Sequence, residues 1–252
     1  MRRDHVVLHS LAMGEANLIA YGHYGPPVLV FPSDNGRAWD FENNGLLESV
    51  RGLVEEGGVK LYCIDSFEGG SWRRQDLPLE MRAKEHRRFE DFVMNDVVPW
   101  IHHDCGGPRD IALTGCSFGA YHSVNFALRR ADLFPRALAL SGAYDLSRIG
   151  WGERGMDFYF NNPVDYVANM EGEHLDWLRS RVHLTLVVGQ GPWEDDSASG
   201  ALGSTLRLAG VLADKGIPHE LDLWGYDSAH DWPWWERQLA VHLPRLADTL
   251  TP

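Results

Sequence analysis

Residues 111–130 read IALTGCSFGAYHSVNFALRR, and they hold the sharpest structural signal in the chain. Its first five residues, Ile111–Gly115, are a short apolar run that predicts a buried strand. Phe118–Arg130 place Ala, Val and Leu on one face and predict a helix. Between them, Gly115–Gly119 form a G-x-S-x-G pentapeptide, whose outer glycines allow a strand to turn sharply into a helix. We therefore expect the hydroxyl of Ser117 to project from a strained turn at the head of the helix.

Short apolar runs alternate with longer helical patterns along the rest of the chain. This alternation predicts an α/β fold, with a mostly parallel sheet covered by helices on both faces and an antiparallel pair at its start. The predicted strands are His5–Leu11, Asn17–Tyr24, Val28–Pro32, Lys60–Asp65, Ile111–Gly115, Ala137–Ala143, Val182–Gly189 and His219–Trp224. The predicted helices are Trp39–Glu56, Glu80–His103, Phe118–Arg130, Thr205–Lys215 and Trp235–Leu250.

The length of 252 residues suits one α/β domain, and no repeat or long linker divides the chain. We therefore expect a single domain over residues 1–252. The segment 147–181 is the longest without a predicted strand and is rich in Gly and aromatic residues. It is interpreted as a short lid-like excursion above the sheet.

The balance of 23 Lys+Arg against 36 Asp+Glu gives a formal net charge of −13, which argues against binding to nucleic acid.

No apolar run approaches the roughly 18 residues of a membrane-spanning helix. Near the amino terminus, Asp4, His5 and His9 interrupt any apolar segment of a signal peptide. The odd count of 3 Cys fits a reducing compartment. A cytoplasmic protein without membrane contact is the expectation.

A serine hydroxyl needs a base to act as a nucleophile at neutral pH, and histidine is the usual one. His230 stands in a polar loop six residues beyond the predicted strand His219–Trp224. His122 and His242 lie within predicted helices, where packing roles are expected. The adjacent pair His102-His103 lacks the spacing of a metal site. His230 is therefore the candidate base, and no metal is expected.

In proteins with this type of turn, the acid that orients the histidine falls between the serine and the histidine in chain order. The loop after Val182–Gly189 offers three consecutive acids, Glu194, Asp195 and Asp196. Glu194 is ranked first because it is nearest the strand end, Asp195 second and Asp196 third. The choice among them stays open at this point.

An oxyanion intermediate also needs preorganised N–H donors. The backbone N–H of Phe118 lies at the head of the predicted helix, where the helix dipole favours negative charge. A second donor is expected from the loop after Val28–Pro32, at Asp34 or Asn35, although an ordinary polar turn is an equally good interpretation of either residue.

Aromatic residues gather in the segment 147–181 and beside His230. Trp151, Phe158 and Tyr159 could wall an apolar acyl or aryl pocket or could form a small core beneath the excursion. Trp232 could line the site or anchor the last helix. The sequence is compatible with both interpretations of each group.

These residues resemble the putative-esterase family of α/β-hydrolases, which includes enterochelin esterases, feruloyl esterases, S-formylglutathione hydrolases and mycolyltransferases. The resemblance spans nearly the whole chain. It rests on the elbow Gly115–Gly119 followed by Ala120, on Phe134-Pro135 before a strand ending in Ser141-Gly142, and on His230-Asp231-Trp232 with Trp235. The last motif is similar to a Gly-His-Asp-Trp-x-x-Trp ending, with Ala229 in place of Gly. A second departure is the loop Gly189–Asp196, which is longer than the family's Gly-Thr-x-Asp turn.

The resemblance implies an α/β-hydrolase fold with Ser117 as nucleophile, His230 as base and an acid within Glu194–Asp196. The expected activity is hydrolysis of a small or medium acyl or aryl ester through an acyl-enzyme, with no metal or organic cofactor. The acidity of the chain favours a neutral or weakly charged ester. Two alternatives are an acyltransferase that uses the same acyl-enzyme and a hydrolase-fold binding protein without turnover. A homodimer is expected only by analogy with many esterases.

Overall fold

The computed structural model describes residues 1–195 and 200–250. Its strands form one sheet of eight, in the order β1-β2-β4-β3-β5-β6-β7-β8. They are β1 (Arg3–Ser10), β2 (Gly14–Tyr21), β3 (Pro27–Phe31), β4 (Lys60–Ile64), β5 (Ala112–Cys116), β6 (Arg136–Leu140), β7 (His183–Val188) and β8 (His219–Leu223). β1 and β2, and β2 and β4, pair antiparallel, whereas all pairs from β4 to β8 are parallel. The predicted α/β-hydrolase architecture is confirmed.

Helices cover both faces of the sheet. They are α1 (Asp40–Asn43), α2 (Leu46–Ser49), α3 (Arg51–Glu55), α4 (Leu79–Phe92), α5 (Val98–Asp104), α6 (Phe118–Arg129), α7 (Met156–Tyr159), α8 (Pro163–Tyr166), α9 (Glu173–Arg181), α10 (Ala201–Asp214) and α11 (Trp232–Ala247). Glu68–Gly70 and Leu146–Arg148 are single 3-10 turns. No helix within the described ranges is long and apolar enough to span a bilayer.

The prediction of one helix over Trp39–Glu56 is wrong, because three short helices occupy this region. Gly45 adopts the left-handed conformation, with φ of 83°, and this breaks the helix after Asn44. A Cβ at Gly45 would also lie 2.6 Å from the carboxylate of Glu236. Val50, with φ of −123°, separates the second short helix from the third.

The predicted helix Glu80–His103 is present as α4 and α5, joined by a π-helical turn at Val93–Val97. Pro99 lies just after this turn and has no N–H to donate to the preceding turn of the helix. A π-helical turn at that point interrupts the regular series of backbone hydrogen bonds without ending the helix.

Two apolar cores sandwich the sheet. On one face, Phe31, Phe89 and Phe126 pack with the fully buried Trp72 under α4 and α6. On the other face, side chains of the parallel strands pack against α11. Because these strands run parallel, the carboxyl ends of β3, β5, β7 and β8 lie at the same edge of the sheet. Ligand sites of such folds lie at this edge.

The segment between β6 and β7 packs down onto the core. Phe158 is buried and contacts Trp72 edge to face, with ring centroids 6.5 Å apart. Tyr166 donates a 3.0 Å hydrogen bond from its hydroxyl to the side chain of Asn125 on α6. Phe158 and Tyr166 therefore anchor this segment to the core, while a lid function for residues 147–181 stays a prediction.

Candidate active site

Ser117 occupies the sharp turn between β5 and α6. Its backbone has φ of 55° and ψ of −116°, a strained conformation for a residue with a side chain. A Cβ on Gly115 would lie 2.5 Å from the backbone of Gly119, and a Cβ on Gly119 would lie 2.5 Å from the carbonyl oxygen of Pro32. Both glycines are thus required by close backbone approach, and the turn directs the Ser117 side chain toward the carboxyl edge of the sheet.

His230 lies in the loop between β8 and α11, as predicted. Its Nε2 is 2.9 Å from Oγ of Ser117. The backbone N–H of His230 donates to the carbonyl of Pro192 at 3.0 Å, and the imidazole packs edge to face on Trp235 at 4.9 Å between centroids. These contacts fix the ring opposite the serine hydroxyl.

Glu194 completes a chain of hydrogen bonds behind His230. Its Oε2 is 3.1 Å from Nδ1 of His230, and its side chain is fully buried. The other oxygen, Oε1, accepts hydrogen bonds from the hydroxyl of Ser141 at 2.8 Å and from the N–H of Gly189 at 3.2 Å. The carboxylate is therefore held on both oxygens, as a buried charge requires.

The other two candidate acids do not share this arrangement. Asp195 is exposed, and its Oδ1 accepts a 3.3 Å hydrogen bond from the N–H of Gly203 on α10. Asp196 lies outside the described residues. Sequence reasoning missed the role of Ser141, whose only signal was its place at a strand end in the family resemblance.

The candidate oxyanion donors come from the first residue of α6 and from the loop after β3. Phe118 is the first residue of α6. Its backbone N–H therefore has no acceptor within the helix. The N–H of Asn35 instead donates to Oε2 of Glu68 at 2.9 Å, so it is already engaged. Among residues 1–195 and 200–250, no acceptor is bonded to the N–H of Asp34. Of the two predicted loop donors, Asp34 is the one that remains available.

The four predicted pocket residues fall in different environments. Phe158 is buried in the core, in agreement with the interpretation of a small core beneath the excursion, and a pocket role for it stays a prediction. Trp151 is 57% exposed, and its indole N–H donates to the carbonyl of Gln75. Tyr159 packs against the core and contacts Phe160 edge to face. Trp232 lies beside the turn that carries Ser117, since it lines a cavity with Gly115 and Cys116.

Trp232 lines a small apolar cavity together with Cys116, Ser33 and Arg37. Burial raises the pKa of the Cys116 thiol, so this sulfur stays protonated near neutral pH. In the described part of the chain, no three His, Cys, Asp or Glu side chains cluster in a way that could hold a metal.

The family described as "Putative esterase" matches residues 22–246 of this chain. The chain belongs to the putative-esterase family. As a member of this family it is a serine esterase in the general sense. No curated protein matches the sequence.

Solved structures share the fold of this putative esterase at low sequence identity. A ferulic acid esterase is 17% identical with a TM-score of 0.75, over 98% of this chain and 97% of that one. An S-formylglutathione hydrolase from Agrobacterium tumefaciens is 13% identical with a TM-score of 0.73, over 99% and 95% of the two chains. MPT51 (FbpC1) from Mycobacterium tuberculosis is 14% identical with a TM-score of 0.75, over the whole of both chains.

Proposed function

We propose that this putative esterase hydrolyses neutral carboxylic esters through an acyl-enzyme on Ser117. The observation that carries the proposal is the continuous chain of contacts from Ser117 through His230 to Glu194, at 2.9 Å and 3.1 Å. A nucleophile, a base and a group that orients the base, each within hydrogen-bond reach of the next, form the arrangement that activates a serine.

The proton positions follow from the donor and acceptor properties of the groups. An ionised Glu194 can only accept, so the proton of a neutral His230 lies on Nδ1 and Nε2 is left with its lone pair. Nε2 takes the hydroxyl proton as Oγ of Ser117 bonds to the acyl carbon, and the resulting imidazolium is stabilised by Glu194. Return of this proton to the leaving alkoxide releases the alcohol and leaves the acyl group on Ser117.

Hydrolysis of the acyl-enzyme repeats these steps with water. Nε2 of His230 takes a proton from water as the oxygen attacks the acyl carbon, and the carbon–Oγ bond then breaks as Ser117 regains a proton. In both halves of the reaction, the N–H groups of Phe118 and Asp34 would donate to the carbonyl oxygen when it becomes negative. Preorganised donors of this kind act mainly on the transition state.

The charges near the site support a neutral ester. Arg37 forms an ion pair with the buried Asp65 at 3.6 Å, and Arg73 forms an ion pair with Asp34. Both cations near the predicted oxyanion loop are therefore already matched by carboxylates, and the chain as a whole carries a formal charge of −13. A strongly anionic ester would find little net attraction.

Substitution of the nucleophile tests the proposal. Ser117→Ala is expected to lower kcat for p-nitrophenyl acetate and butyrate by at least about 10³-fold, because the attacking oxygen is removed. Ser123→Ala is the matched control, since Ser123 lies on the same helix and donates only to the carbonyl of Gly119. Equal activity of the Ser117→Ala variant and the wild type, with circular dichroism showing both folded, would refute the proposal.

A further inference from the structure

A buried pair of charged or polar groups lies behind the site and takes no part in the steps above. Glu68 stands in the 3-10 turn after β4, and His122 lies on α6, five residues after Ser117. Nε2 of His122 is 2.7 Å from Oε1 of Glu68, and the two side chains are 0% and 1% exposed. A carboxylate buried this deeply is costly unless several donors compensate it.

The second oxygen of Glu68 reaches the predicted oxyanion loop. Oε2 accepts the 2.9 Å hydrogen bond from the N–H of Asn35, which has a left-handed backbone with φ of 53°. Asn35 directly follows Asp34, the available loop donor. One carboxylate therefore links α6, the helix that follows Ser117, to the loop that carries the second predicted donor.

The segment from Glu68 to Arg73 also holds the predicted oxyanion loop through Asp34. Arg73 forms the ion pair with the Asp34 side chain, and its backbone N–H donates to the carbonyl of Glu68 at 2.8 Å. The loop is thus fixed through the Asn35 N–H on one side and through the Asp34 carboxylate on the other.

The charge state of Glu68 suits this bridging position. Burial alone would raise the pKa of Glu68, but the hydrogen bonds from His122 and Asn35, together with the charge of His122 and the nearby Ser66, outweigh it, and the pKa lies below its ordinary value. Glu68 is therefore an anionic acceptor near neutral pH. Charge-assisted hydrogen bonds of this kind are stronger and shorter than neutral ones.

We propose that Glu68 is a positioning residue for the oxyanion hole, in that its carboxylate holds the Asp34 N–H at a fixed place relative to the Phe118 N–H. This inference rests on the proposed function of Ser117. A displacement of about 1 Å in a catalytic group can lower the rate about 10²-fold, and the loss of a whole oxyanion donor costs about 10²–10³-fold in kcat.

Three variants separate positioning from stability. Glu68→Ala removes the acceptor, whereas Glu68→Gln keeps an oxygen that can accept from the Asn35 N–H. The double variant Glu68→Met/His122→Leu replaces the buried pair by apolar side chains of similar volume, an exchange that proteins often tolerate without loss of stability. This double variant keeps the test decisive even where Glu68→Ala does not fold.

The matched control is a second histidine–carboxylate pair. Nε2 of His242 on α11 lies 2.8 Å from Oδ2 of Asp222 on β8, and neither residue touches the oxyanion loop through this pair. His242→Leu removes a contact of the same chemistry, and we expect it to leave kcat unchanged.

The readouts are kcat and KM for p-nitrophenyl acetate and the inhibition constant of an aryl trifluoromethyl ketone, which forms a negatively charged hemiketal on the nucleophile. We expect kcat of the double variant to fall about 10²-fold with KM little changed, and the inhibitor to bind more weakly by a similar factor. The Glu68→Gln variant should keep most of the wild-type kcat and most of the wild-type affinity for the inhibitor. A folded double variant with wild-type kcat and inhibitor affinity would overturn the role of Glu68. Absence of turnover and of inhibitor binding in the wild type would instead refute the proposed function.

Discussion

At the residue scale, adjacent acids in the loop after β7 have opposite environments. Glu194 is buried and contacts Nδ1 of His230, whereas Asp195 is exposed and accepts from the N–H of Gly203. A carboxylate and its amide analogue have nearly the same shape but differ in whether they can donate a hydrogen bond. Substitution by the corresponding amide therefore distinguishes an orienting acid from a bystander.

Glu194→Gln is expected to lower kcat by about 10⁴-fold, because the amide can donate to Nδ1 and thereby move the imidazole proton to Nε2. That tautomer cannot accept the proton of Ser117. Asp195→Asn should leave kcat unchanged. Steady-state rates with p-nitrophenyl acetate for both variants provide the test, and similar rates in the two variants would contradict the assignment of Glu194.

The sequence was informative about these residues to different degrees. The places of Ser117 and His230 in the fold could be predicted because they follow from the order of strands and turns, whereas their catalytic roles stay predictions. Glu194 could be ranked only by its distance from the strand end. The use of the Asn35 N–H by Glu68 could not be foreseen, because it depends on how two loops distant in sequence pack together. Phe158 was ambiguous for a similar reason, since an aromatic pattern does not show which side chains are buried.

At the element scale, the strands follow from their apolar runs more closely than the helices do. Each of the eight observed strands overlaps its predicted range, and the continuous apolar run of a buried parallel strand is a strong local signal. The helix predicted at Trp39–Glu56 failed because the left-handed conformation of Gly45 outweighed the helical pattern around it. The start of α11 was placed three residues late, although Pro233 in the first turn and the capping side chain of Asp231 both mark it.

The turn at Ser117 links the local backbone to the proposed function. The two glycines allow β5 and α6 to approach β3, and this approach gives Ser117 its strained backbone. The same geometry places the first N–H of α6 next to Ser117. In the proposed reaction, one local structure would thus supply both the attacking oxygen and a donor for the charge that develops.

At the scale of the whole molecule, the core beneath the site is unusual in containing ionisable groups. His86 on α4 stacks on His122 with ring centroids 5.3 Å apart, and His122 contacts Glu68. Nε2 of His86 has no hydrogen-bond partner within the described part of the chain. Burial, followed by the nearby His122 and Arg129, lowers the pKa of His86 well below its ordinary value of 6.5.

The lowered pKa of His86 predicts a pH dependence of stability. Below a pH of about 6.5 the unfolded chain binds a proton at His86 that the folded chain does not, so the free energy of unfolding falls as the pH falls. His86→Leu should therefore reduce the fall in Tm between pH 7 and the acid range. His9→Gln is the control, because His9 is exposed. A His86→Leu variant with the wild-type slope of Tm against pH would contradict this prediction.

Covalent labelling tests whether Ser117 is the nucleophile on which the proposed reaction depends. Diethyl p-nitrophenyl phosphate transfers a phosphoryl group to an activated serine and leaves an adduct that hydrolyses slowly. Intact mass spectrometry is expected to show one adduct per wild-type chain, peptide mapping should place it on Ser117, and ester hydrolysis should disappear in proportion to labelling. Ester hydrolysis that persists after Ser117 is fully labelled would contradict the account.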